Sequence, residues 1–129
     1  MTPNPDSGDR TVGLHHVTAI AGDPGANVAF YTDVLGLRLV KRTVNFDDVE
    51  TYHLYYGDEI GTPGTAMTFF PFDRGTPGSV GRGQTSATAF TIPEGSVDYW
   101  LDRLESRGVD VDDPVQRFGE TVVPFRDPD

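Results

Sequence analysis

The stretch Leu14-His15-His16-Val17-Thr18-Ala19-Ile20-Ala21-Gly22-Asp23-Pro24-Gly25 decides how this chain folds. Apolar and β-branched residues dominate from Val12 to Ala21, a run too short for a helix, and Gly22-Asp23-Pro24-Gly25 interrupts it. That combination predicts a largely buried strand that ends in a turn. Beyond the turn, Val28, Tyr31, Val34 and Leu35 recur at helical spacing within Ala26 to Leu35, and Gly36 stands where a helix stops. Strand followed by helix is therefore the opening unit.

Working outward, Leu37 to Phe46 returns to strand character, Tyr52 to Gly57 gives a short aromatic strand, and Thr65 to Phe72 another. Gly61-Thr62-Pro63-Gly64 makes the turn between the last two, so the order is β-α-β-β-β. After the glycine-rich stretch Gly75 to Gly83 the same programme restarts. Thr85 to Ile92 reads as a strand, and Pro93-Glu94-Gly95-Ser96 opens a helix that closes near Arg107-Gly108, with Val97, Trp100, Leu101 and Leu104 on one stripe. Gln116 to Phe118 and Thr121 to Phe125 are two short strands around Gly119-Glu120. Val28-Ala29-Phe30-Tyr31 and Val97-Asp98-Tyr99-Trp100 sit alike after their turns, which supports an internal repeat.

The fold class read from this order is α+β, built from tandem βαβββ modules. Residues 1–10 are expected to form a flexible tail, residues 11–74 the first module, residues 75–83 a connector, and residues 84–129 a second module truncated before its last strand. A strand short, the second copy would leave an open sheet edge for a partner chain or the remainder of a longer protein to cover.

Composition narrows the function. Ten Lys and Arg face 20 Asp and Glu, a formal net charge of −10, and Lys41 is the lone lysine. Such a surface repels phosphate backbones and anionic lipid, which disfavours nucleic-acid and membrane-surface binding. Asp and Arg dominating over Glu and Lys suits a high-salt cytoplasm, where ions screen the self-repulsion, although an ordinary acidic protein has the same signature. There is no cysteine, so disulfides, thiolate metal sites and thiol nucleophiles are excluded. No stretch approaches the roughly 18–20 apolar residues of a membrane span, and the first ten residues lack a signal-peptide core, so a cytoplasmic location is the expectation.

The chemistry-bearing residues are few. The histidines are His15, His16 and His53. Strand alternation puts Leu14, His16, Thr18 and Ile20 on one side and His15, Val17 and Ala19 on the other, so the two neighbouring imidazoles are not expected to chelate one ion together. Either could serve iron, manganese or zinc as a neutral nitrogen ligand, or be a hydrogen-bonded structural histidine. His53 shares a face with Tyr55 and reads as a hydrogen-bonded sheet histidine. Thr65 to Phe72 puts Ala66, Thr68 and Phe70 on one face, with no carboxylate in the strand, and Phe70 reads as core or as pocket lining. Asp47, Asp48, Glu50, Asp58 and Glu59 fall in turns and Asp110, Asp112 and Asp113 in a loop, where solvation is their expected role. The second copy has Thr85-Ser86-Ala87-Thr88 where the first has His15-His16-Val17-Thr18, and offers no nitrogen ligand. Gly75 to Gly83 lacks the ending of a phosphate loop, and no Gly-x-Ser-x-Gly nucleophile motif occurs.

Gly13 to Ile20 and Phe30 to Phe46 together resemble the opening module of the glyoxalase/bleomycin-resistance/dioxygenase (vicinal oxygen chelate) superfamily. Tyr52 to Asp58, Gly61 to Thr65, Phe69-Phe70-Pro71 and Arg117-Phe118-Gly119-Glu120 narrow the resemblance to ring-cleaving dioxygenases of hydroquinone type. The resemblance implies paired modules that close a curved mixed sheet, helices outside, around a divalent metal, with Fe(II) expected and Mn(II) or another ion possible. It implies extradiol-type cleavage of a small hydroquinone- or catechol-like aromatic by O₂. It makes His16 a metal ligand and His15 and Thr18 supporting groups near the metal. The relatives' other ligands, a histidine and a glutamate, come from a later module, so this chain corresponds to their N-terminal part. Completion by the remainder of a longer enzyme or by self-association is expected. A non-catalytic binding or scaffold half-domain and a glyoxalase-type lyase are the alternatives.

Overall fold

The computed structural model describes residues 11–129, and the expected tail at residues 1–10 lies outside them. The fold is α+β. Strands β1 (His16–Ala21), β2 (Arg38–Val44), β3 (Tyr52–Gly57) and β4 (Ala66–Pro71) form one sheet in the order β1-β4-β3-β2. Strands β2 and β3 pair antiparallel, as do β3 and β4. The backbone bonds from Gly64 N–H to His15 and from Phe72 N–H to Ala21 advance together along both segments, so β1 runs parallel to β4 and the sheet is mixed. The register of β2 against β3 shifts between Leu39 and Lys41, a bulge at Val40.

The alternation expected for these strands is observed. Leu54, Tyr56, Met67 and Phe69 are buried, and Leu54 faces Phe69 while Tyr56 faces Met67 across the ladder. Their neighbours His53, Tyr55 and Phe70 are half-buried and point to the opposite side. β1 is shorter than its hydrophobic run. It begins at His16, and of the residues before it His15 still accepts a backbone bond from Gly64 N–H.

The chain divides into two compact units, one running up to Ile20 and from Leu37 to Pro71, the other Ala21–Gly36 and Phe72–Asp129. In the second unit, helix α1 (Pro24–Ala29) starts two residues before the expected Ala26. Asp23 caps it by accepting from Gly25 N–H, and Pro24 occupies the first turn, where its missing N–H is no loss. The helix then widens into a π-helical turn, Phe30–Val34, in which Leu35 N–H bonds Phe30 carbonyl oxygen at 3.0 Å. Asn27, Phe30 and Tyr31 are the buried positions, whereas Val28 and Val34 of the expected stripe are half-buried. Arg103 Nε and Nη2 donate to the carbonyl oxygens of Val34 and Asp33, satisfying the acceptors the turn leaves exposed.

Helix α2 (Val97–Ser106) follows Ser96 as expected, with Leu104 buried and Gly108 in the left-handed conformation that ends it. β5 (Val115–Arg117) and β6 (Glu120–Val122) make a hairpin whose two loop residues, Phe118 (φ 51°) and Gly119 (φ 77°), are both left-handed, as a type I′ turn requires. One expected strand is missing: residues 85–92 lie outside every strand and helix. The reason follows from the sheet order. β1 pairs with β4, and among the described residues no comparable strand is available to residues 85–92. Among the described residues no helix is long and apolar enough to cross a membrane.

Candidate functional site

The face of the four-stranded sheet opposite Leu54 and Phe69 collects the polar groups of the first unit. Register sets its composition: Lys41 lies opposite Tyr55, Thr43 opposite His53, and Tyr55 opposite Thr68. His16 and Thr18 join from β1. The sequence therefore scatters these side chains over some fifty positions, and pairing brings them together.

His16 is exposed, and its ring lies 6.1 Å from that of Tyr55. Its Nδ1 is 3.0 Å from Nδ1 of His15. This corrects the expectation that alternation would hold the two imidazoles apart. His15 stands at the edge of β1, just before its first residue, and its ring turns edge-on to His16. A hollow of about 340 Å³ beside them is lined by Val12, Leu14, His15 and Pro63, without His16. Thr18 bonds Thr68, at 2.6 Å between hydroxyl oxygens.

His53 was expected to be a hydrogen-bonded sheet histidine, and it is. Nε2 lies 3.0 Å from the Thr68 hydroxyl and Nδ1 lies 3.0 Å from the Tyr55 hydroxyl. Phe70 stacks against the imidazole with ring centroids 4.1 Å apart. Desolvation pushes the His53 pKa below its usual 6.5, and the nearby positive charges of His16 and Lys41 push the same way. His53 thus stays neutral in the fold at pH values where it would be protonated in the unfolded chain. The unfolded state then binds more protons, so stability falls as pH drops through 6.5 toward the lower folded-state value and levels off below it. Urea midpoints measured across that window should show this slope, and His53→Gln should flatten it; an unchanged slope would assign the acid sensitivity to other groups.

The carboxylates expected only to solvate the turns also shape them. The Thr62 side chain first, and then the backbone N–H groups of Thr62, Ile60 and Gly61, hold the Asp58 carboxyl below its usual range, and Asp48 accepts from Glu50 N–H and the Thr51 hydroxyl. Among the described residues no three His, Asp or Glu side chains come close enough to hold a metal ion. His16 fits a metal by donor type, but the described residues supply no complete donor set. Sequence reasoning missed the line from Thr18 through Thr68 and His53 to Tyr55. Each face assignment was available, but the adjacency of β1 to β4 was not.

The family model described as the Glyoxalase/Bleomycin resistance protein/Dioxygenase superfamily matches residues 13–129. A Bacillus subtilis protein named "Putative ring-cleaving dioxygenase MhqE" is 53% identical over 118 residues, covering 92% of this chain and 39% of the relative. The chlorohydroquinone/hydroquinone 1,2-dioxygenase of Sphingobium indicum is 40% identical over 123 residues, covering 94% of this chain and 38% of its own length. A crystal structure described as that of a "putative dioxygenase" from Bacillus subtilis superposes with a TM-score of 0.87 at 51% identity, covering 92% of this chain and 38% of that one. The chain spans about two-fifths of the length of the curated relatives it matches.

Proposed function

Because the chain belongs to the glyoxalase/bleomycin resistance protein/dioxygenase superfamily, we propose that it forms part of a metal-dependent, extradiol-type ring-cleaving dioxygenase acting on hydroquinone- or catechol-like aromatics. The observation that carries this reading is the exposed His16 imidazole on the polar sheet face, held by His15, in a chain 53% and 40% identical to proteins named as ring-cleaving and hydroquinone dioxygenases. If His16 Nδ1–H donates to His15 Nδ1, Nε2 keeps its lone pair and a fixed direction, which is what a ligating histidine needs from its neighbour. His15 is then a supporting group. Thr18 acts further back, through Thr68.

Fe(II) is the metal proposed, with Mn(II) as the substitute, and such an ion would supply open coordination positions for substrate oxygen and O₂. His16 would furnish one ligand of that site, and residues outside this set, from the rest of a longer enzyme or a second copy, would complete it. The chain's own contribution is to hold that imidazole rigidly and to present an aromatic, polar surface beside it. The test is ring cleavage of hydroquinone by the iron-loaded protein, with products separated by chromatography. Turnover of a hemithioacetal instead would favour the lyase reading. Absence of both, with the aromatic still bound, would favour a binding module, which the incomplete donor set also suits.

The acidic composition extends the proposal to a salty cytoplasm. Raising salt from about 0.1 M to about 1 M shortens the screening length from about 10 Å to about 3 Å, relieving self-repulsion of the −10 charge. Thermal unfolding in KCl should therefore move up by about 5 °C or more, the order of 1 kcal/mol for a domain this size. A flat or falling midpoint would make the composition that of an ordinary acidic protein.

A further inference from the structure

One arrangement on the polar sheet face is left unused by the metal reading. Thr18, Thr68, His53 and Tyr55 form a continuous hydrogen-bonded line across β1, β4 and β3, with steps of 2.6, 3.0 and 3.0 Å. Thr68 is fully buried, so its hydroxyl depends on these two partners. A neutral imidazole has one donor and one acceptor, and the line can therefore run in only two senses. In one, Tyr55 O–H donates to His53 Nδ1, His53 Nε2–H donates to Thr68, and Thr68 O–H donates to Thr18. In the other, every donor reverses, His53 Nδ1–H donates to the phenol oxygen, and the Tyr55 O–H is released to donate outward.

The end of the line is placed for contact with a ligand. The half-buried Tyr55 ring has the His16 imidazole 6.1 Å away between centroids and the Lys41 ammonium 5.4 Å from its centroid. The His53 ring that steers it is pressed between Tyr55 at 4.2 Å and Phe70 at 4.1 Å, which limits its rotation.

We propose that Tyr55 is a substrate-positioning residue whose phenolic hydroxyl engages one ring oxygen of an aromatic diol, and that His53, anchored by Thr68, sets the direction of that hydroxyl. The two senses of the line let Tyr55 accept from a diol hydroxyl or donate to its deprotonated oxygen, and Lys41 favours the negative charge of the latter. This rests on the reading of the chain as part of an aromatic-ring dioxygenase and names the group that would orient its substrate beside His16.

The test is side-chain NMR of the full 129-residue chain, labelled at histidine and tyrosine, titrated separately with hydroquinone and with Mn(II). Hydroquinone should shift the Tyr55 and His53 ring signals, while 1,4-dimethoxybenzene, which has no hydroxyl to share, should bind about tenfold more weakly. Tyr55→Phe should erase that difference, and Thr68→Val should loosen the His53 tautomer and reduce the difference about threefold, both with an unchanged backbone amide spectrum. A merely structural tyrosine would leave the discrimination between the two aromatics untouched. The proposal is overturned if hydroquinone leaves the Tyr55 ring unshifted, or if Tyr55→Phe discriminates as the wild type does. Mn(II) reports separately: broadening at His16 without a hydroquinone effect at Tyr55 removes this proposal alone. A hydroquinone effect without broadening at His16 keeps the role of Tyr55 and shows that this chain does not hold the ion by itself, as its incomplete donor set implies.

Discussion

If the proposed function holds, replacing His16 with alanine should remove one ligand from the completed metal site, and with it divalent-metal retention and ring cleavage by the assembly that carries that site. Loss of a supporting group around a metal typically lowers affinity about 10–100-fold, and loss of a ligand should exceed that. The geometry makes the substitution clean. His16 is exposed on the sheet face, its close hydrogen-bonding contact is the neighbouring His15, and it belongs to no buried cluster, so the fold should survive. His15→Ala should give the intermediate effect, because it removes the partner that orients Nδ1 and leaves the ligand in place. His53→Ala should keep the metal, since His53 bonds Thr68 and Tyr55. Metal content after exhaustive dialysis, measured by atomic absorption, separates these cases. Wild-type content in His16→Ala would remove the ring-cleavage reading at its root, whereas loss in His53→Ala and retention in His16→Ala would move the site to β3.

The strands were legible where a two-residue period and terminal punctuation agreed. Tyr52–Gly57 is found at the expected residues because its aromatic alternation is bounded by glycine and by the turn at Asp48. The first helix was legible as a helix but not in its phase, since the π turn at Phe30–Val34 depends on an i to i+5 bond that a 3.6-residue template cannot register. Residues 85–92 have strand composition and no ladder, because strand formation is decided by a partner and not by the segment alone.

The site divides in the same way. Parity placed His16 with Thr18, His53 with Tyr55, and Thr68 with Phe70, all of which the structure keeps. What parity cannot supply is neighbourhood. The fourth strand lying between the first and the third is a fact of topology, and it converts three separate face assignments into one hydrogen-bonded line. The His15–His16 contact was not legible either: His15 stands at the edge of β1, and its ring turns edge-on to His16.

Phe69→Ala should be the most destabilising single substitution on the sheet, at about 3–5 kcal/mol. The ring is 1% exposed, stands opposite Leu54 across the ladder, and meets Tyr56 edge-on at 6.1 Å between centroids. Domains of this size are stable by only about 5–15 kcal/mol, so the variant should lose a large part of its urea midpoint and could be mostly unfolded at 37 °C. Phe70→Ala is the control. One residue along the same strand, it lies half-buried on the opposite face against His53, and should cost about 1 kcal/mol. Equal costs for the two would mean that the faces are wrongly assigned, and the consequence would reach the site. A one-residue slip of β4 exchanges its faces, so the ring that anchors the buried side would stand where Thr68 now joins Thr18 to His53. The apolar side of β4 therefore sets the register on which the polar line depends, and a substitution that never touches His53 or Tyr55 should still release the His53 tautomer in step with the loss of stability.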